Sequence, residues 1–205
     1  MSSSPSPHEI VTGDGANALI VELKTRARLR LNAMRRGAAE APDQLLPRTG
    51  LAPRRGTECR LRDCLSAVAR EVGFLTWAQA LRVLGSHASG TVGAEDMGTF
   101  WHAPRCNGLL SHWFASYDRA RECLALGAHR VLVPYRRQFV VVDGHYLREL
   151  GLDPDDEAWG RAGRDLVQAY GGEAWLVLCR QRLLALRDAG HGATRTSSAG
   201  PESLV

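Results

Sequence analysis

The chain has 205 residues, 44% hydrophobic and 23% charged, with a net charge of +4. That is ordinary globular composition, enough for one medium domain or two small ones. No run approaches the roughly 18 consecutive apolar residues of a membrane span, and the opening MSSSPSPHEI has neither the basic nor the apolar region of a secretory signal, so the expected compartment is the cytoplasm.

Residues 1–15 are rich in Ser, Pro and Gly and offer nothing to pack, which predicts disorder; residues 190–205 read the same way. Between Ala16 and Arg36 the periodicity predicts a helix. Ile20, Leu23, Ala27, Leu31 and Met34 share one narrow arc of it, with Lys24, Arg28 and Arg35 on one flank and Arg26 and Arg30 on the other. Arginine stems can cover the edges of such a stripe. The prolines and glycines of residues 38–57 predict a long irregular connection.

A second helix is expected over Arg60–Val72, burying Leu61, Cys64, Leu65, Val68 and Val72, with Gly73 where a C′ glycine belongs. Thr76 and Gln79 then have capping-box spacing. The third helix, to about Leu84, should bury Trp77, Ala80, Leu81 and Leu84 and leave Gln79 and Arg82 outward. Residues 16–86 thus form a basic helical unit, 87–98 a linker, and 99–189 an α+β unit carrying a small β-hairpin.

In that second unit, Leu109, Leu110, Trp113, Phe114, Tyr117, Ala120 and Leu124 recur at helical spacing up to Gly127. Residues 130–133 and 138–142 are the β-rich runs, joined by Pro134-Tyr135-Arg136-Arg137 at hairpin length. A short helix follows from His145 to Leu150. Asp153-Pro154-Asp155-Asp156 reads as a helix start, with Asp153 as N-cap and Pro154 at N1. A last helix spans Glu173–Arg187 and buries Leu176, Cys179, Leu183 and Leu186. The fold class is mainly α, of α+β type.

Residues 24–62 hold 11 basic side chains against Glu40, Asp43 and Glu58. Such asymmetry can mark a surface for nucleic acid or another polyanion, with Arg26, Arg28, Arg30, Arg35 and Arg36 as contacts. Lysine occurs once, at Lys24, so codon bias of a GC-rich genome accounts for the arginines equally well. The corner at Gly73 invites a helix-turn-helix reading. Its second helix would need apolar residues at Gln79 and Arg82, so sequence-specific DNA reading is not expected.

Residues 64–77, CLSAVAREVGFLTW, resemble the small helical domain of bacterial glyoxalase-related proteins, in which a basic helix precedes a G-F-x-x-W corner. The resemblance covers roughly Leu19–Leu84 without the irregular connection, and similar corners occur beside ankyrin repeats. The second half looks like uncharacterised proteobacterial proteins. The metal-binding His and Glu set of true glyoxalases has no counterpart here, so the resemblance implies neither that activity nor its metal.

Among polar clusters, Tyr135, Arg136 and Arg137 interrupt two apolar strands and could bind a carboxylate or phosphate; a solvated hairpin tip is the plainer alternative. Asp143 and His145 could be an orienter and a general base, or simply a turn aspartate and a helix-start histidine. His102, Cys106, His112 and Cys123 offer soft ligands at spacings that match no familiar zinc pattern, so no metal is assigned. The five cysteines contain no C-x-x-C pair and read as reduced thiols, with Cys64 and Cys179 on apolar faces. Two functions remain open. One is a non-catalytic module for an acidic protein or nucleic acid. The other is a small-molecule enzyme, with unknown cofactor, whose pocket between the halves is lined by Tyr135, Arg136, His145 and His112.

Overall fold

The computed structural model describes residues 7–36, 59–85 and 95–196. The irregular connection expected over 38–57 lies outside them, as do 87–94 of the expected linker. The described elements are α1 (Pro7–Arg35), α2 (Leu61–Glu71), α3 (Trp77–Leu84), β1 (His112–Phe114), α4 (Tyr117–Ala125), β2 (Val131–Tyr135), β3 (Gln138–Val142), α5 (Gly144–Glu149), α6 (Glu157–Arg161) and α7 (Glu173–Thr196). The fold is therefore mainly helical, with one small antiparallel sheet. No helix among the described residues is long and apolar enough to cross a membrane.

The α2–α3 corner forms as its residues dictate. Gly73 takes φ +96 and closes α2 with two bonds: Phe74 N–H to the Ala69 carbonyl at 2.9 Å and Gly73 N–H to that of Arg70 at 3.1 Å. Both orphan carbonyls are thereby satisfied in the manner of a Schellman cap. Thr76 caps α3 by accepting from Gln79 N–H at 3.1 Å. Gln79 completes the box one residue early, accepting from Leu75 N–H at 2.8 Å.

The expectation that Gln79 faces outward is corrected. Its amide donates to the Asp96 carbonyl at 2.9 Å and carboxylate at 3.0 Å, and the side chain is buried. A polar socket on the 95–99 segment makes that burial affordable. Arg82 does point outward and pairs with Glu95 at 2.7 Å. Trp77 and Leu81 are half-buried against the core rather than inside it.

The sheet has strand order β1-β3-β2, with Trp113 opposite Val140 and Val133 opposite Val140 on β3's other side. Alternation sends Val131, Val133, Val140 and Val142 into the main core and Leu132, Phe139 and Val141 under α4, beside Ala120. Pro134 is tolerated because β2 is an edge strand. That edge is covered in part by residues 164–166, through Leu132 N–H to the Arg164 carbonyl and Leu166 N–H to the Leu132 carbonyl, both 2.9 Å.

Four boundary expectations change. Residues 109–124 are not one helix; they divide into β1 and α4, with Ser116 extended as the N-cap of α4. The hairpin turn is Arg136-Arg137 alone, because Pro134 and Tyr135 pair within the ladder. Helix α6 starts after Asp156, whose carboxylate caps Ala158 N–H at 2.7 Å, while Asp153 closes only a turn with Asp155. Helix α1 begins at Pro7 rather than Ala16, and α7 runs to Thr196 rather than Arg187.

One buried cluster runs from Ala16 on α1 to Leu183 on α7. Trp101 is its aromatic hub, with ring centroids 5.0 Å from Phe100, 5.5 Å from Trp175 and 6.4 Å from Trp159. Buried Arg182 donates to the carbonyls of Phe100 (3.1 Å) and Leu150.

Candidate functional site

Tyr135 ends β2 on the core-facing side of the sheet and meets the rings of His102 at 5.1 Å and Trp113 at 5.0 Å. His102 also touches Trp113 at 5.9 Å and Tyr146 at 6.1 Å. Two polar contacts hold its ring: Nδ1 lies 2.7 Å from the Tyr146 hydroxyl and Nε2 lies 2.9 Å from Asn107 Oδ1. The Tyr146 hydroxyl also lies 3.2 Å from the Trp101 carbonyl, to which it can donate. Burial, above all, pushes the Tyr146 phenol well up, which keeps it protonated for that role. The rings fill one another's space edge to face. They make one aromatic cluster at the end of β2.

The other residues singled out in the sequence lie around this cluster without converging on it. Arg136 takes φ +51 in the turn and lays its guanidinium 5.4 Å from the Tyr135 ring centre. Arg137 is exposed and makes no ion pair among the described residues. His145 is exposed on α5 and stands 4.0 Å from Glu149, whose other oxygen lies 3.4 Å from Arg105. Asp143 does not orient it, because its carboxylate caps Tyr146 N–H at 3.0 Å. His112 is opposite Val141, so it lies on the α4 side of the sheet, away from Tyr135. His102, Cys106 and His112 do not cluster; among the described residues no three His, Cys, Asp or Glu side chains are placed to share a metal.

The five arginines of the basic stretch part company. Arg26 and Arg30 are half-buried and engaged, Arg26 with Glu22 (3.0 Å) and the Leu183 carbonyl (2.8 Å), Arg30 with Glu71 at 2.5 Å. Arg28 and Arg35, on the other flank of α1, and Arg36 are exposed.

Arg26 leads to a concavity that combines charge with an apolar lining. Between α1 and α7 lies a groove of about 500 Å³, within the range of ligand sites. Leu19, Leu176, Val177, Leu183 and Leu184 form its floor and walls; Arg26, Arg180 and Arg187 stand at its rim with Glu22 and Glu173. Glu22 is paired with Arg26, Arg187 with Asp188 at 3.3 Å, and Leu184 is 37% exposed, so the opening shows apolar surface beside Arg180. Arg180 makes no ion pair among the described residues. Sequence reasoning missed this site, although its signal was present. Residues 173, 176, 177, 180, 183, 184 and 187 recur at steps of three and four along one face of α7. What covers that face is a tertiary fact. Comparison with family models, with curated proteins and with solved structures returns no match.

Proposed function

We propose that the protein is a non-catalytic binding module that takes an acidic, amphipathic segment of a partner protein in the α1–α7 groove. The observation that carries this reading is the pairing, in one groove, of a leucine-rich lining with Arg180. Leucine or similar side chains of a partner would enter between Leu176 and Leu184, while a carboxylate meets Arg180, the pattern of helix-in-groove recognition. Charge at the rim steers encounter and excludes basic segments; the buried apolar contact supplies affinity. The cytoplasm is the fitting compartment, since five free thiols persist where the milieu is reducing.

The reading is tested with a labelled peptide carrying Leu and Glu at helical i,i+4 spacing, followed by fluorescence anisotropy against the full chain. Arg180→Glu and Leu184→Glu should each weaken binding about tenfold, equivalent to about 1.4 kcal/mol. Arg28→Glu, on the far flank of α1, should change it little. Equal binding by all three variants, or affinity for a DNA duplex that depends on Arg28 and Arg35 instead, would overturn the reading.

A further inference from the structure

Cys59 immediately precedes the N-cap of α2 and Cys64 lies in its first turns, both in the main buried cluster. Their sulfurs are 3.8 Å apart, in thiol–thiol contact. Sequence spacing alone, C-x₄-C, carries no redox signature. The helix start creates the proximity: Arg60 N–H bonds to the Asp63 carboxylate at 2.9 Å and folds the chain so that residue 59 sits over residue 64. No other sulfur pair in contact is found among the described residues. Cys106 and Cys179 are buried singly, and half-buried Cys123 is occupied by Arg130, whose Nη1 lies 3.3 Å from its sulfur.

We propose that Cys59 and Cys64 form a dithiol that hydroperoxides oxidise to an intramolecular disulfide, tying the segment before α2 to its first turns. The chemistry runs in two balanced steps. The Cys59 thiolate attacks the hydroperoxide, its sulfur takes up oxygen as a sulfenic acid, and the O–O bond breaks with release of hydroxide (or alkoxide). The Cys64 sulfur then attacks the Cys59 sulfenic sulfur, the S–O bond breaks, and the Cys64 proton leaves with the departing oxygen as water. Two thiols lose two electrons in all, and the hydroperoxide accepts them.

The order follows from the surroundings. Cys59 is 7% exposed and Cys64 fully buried, so Cys59 is the sulfur an oxidant reaches first. Burial, then the hydrogen bond and charge of Cys59, push the Cys64 thiol up to about 12, which suits the second step rather than the first. Contact between the sulfurs offsets that weak nucleophilicity by making the step intramolecular. The site is independent of the α1–α7 groove, and the two can fail separately.

The full chain is treated with hydrogen peroxide, its remaining thiols are alkylated, and the protein is digested with trypsin without reduction. Cleavage after Arg55, Arg60, Arg62 and Arg70 should yield Gly56–Arg60 joined to Asp63–Arg70, about 2 Da lighter than the two free peptides together. Dithiothreitol should separate them. In Cys64→Ser the same treatment should leave Cys59 as a sulfenic acid that dimedone captures, and Cys123→Ser should still form the linked pair. Alkylation of both Cys59 and Cys64 after peroxide exposure that oxidises Cys123, or linkage of Cys59 to any other cysteine, would overturn the proposal.

Discussion

Gly73 shows how one residue can hold three parts of the chain. Its carbonyl accepts from both the N–H (2.7 Å) and the hydroxyl (3.1 Å) of Thr99, while Gly98 crosses directly above it. A Cβ at Gly73 would stand 2.8 Å from backbone atoms of Thr99 and Phe100, in a φ of +96 that side chains resist. Gly73→Ala should therefore cost at least about 2 kcal/mol, read as a lowered urea midpoint, because a positive φ alone costs about 1–3 kcal/mol and backbone cannot move aside cheaply. An unchanged midpoint would mean the corner relaxes freely. The C′ role of Gly73 was legible in the sequence. The close approach of residues 98–100 was not, because it joins positions far apart in the chain. Gln79 illustrates the same limit: its capping role could be read from spacing, its burial against Asp96 could not.

Among elements, β1 and α4 carry the main revision. Over so short a run, Leu109, Leu110, Trp113, Phe114 and Tyr117 fit a helical period, yet Trp113 and Phe114 point to opposite faces of a strand. Pairing with β3 decided between the two, a non-local outcome that periodicity cannot show. Helix α4 is then fastened to the strand layer by Tyr117, whose hydroxyl donates to Asp165 at 2.7 Å. Asp165 also accepts from Val167 and Gln168 N–H at 3.0 Å, beside the bridge that covers β2. Burial, followed by the bond to Asp165, raises the Tyr117 phenol from 10.0 to about 12. A raised folded-state value stabilises the protein fully below pH 10.0 and loses that contribution as pH climbs toward about 12. Spectrophotometric titration should thus show a phenolate component near pH 12 that is missing in Tyr117→Phe. The variant's stability should also fall less than the parent's across that interval. Identical titration curves would remove Tyr117 from this role.

At the scale of the molecule, Arg182 links the loop at Phe100, the end of α5 at Leu150, and α7. Burial and then the nearby Arg105 charge lower its pKa to about 10, so it remains a cation at neutral pH and its charge is met by carbonyl dipoles. Arg182→Met should destabilise by about 2 kcal/mol: each carbonyl stripped of its partner costs about 1–3 kcal/mol, partly offset by no longer burying a charge. Equilibrium unfolding in urea measures this, and a variant as stable as the parent would show that water replaces the guanidinium. The candidate site also belongs to this scale. Arg26 was identifiable as a stripe-edge arginine, and the α7 stripe was written in its spacing. That these two faces flank one groove depends on α1 and α7 packing together across most of the chain's length.

By itself, the sequence determined what depends on near neighbours: the narrow apolar arc of α1, the glycine-terminated corner, the β-rich runs on either side of Arg136-Arg137, and the mainly helical class. These follow from local backbone preference and from the periods with which side chains repeat. Tertiary structure decided where Gln79 points, that residues 112–114 join a sheet, which arginines are occupied by partners, and which two sulfurs touch. Those outcomes depend on contacts between distant segments, whose energies outweigh local preference and leave no trace in local spacing.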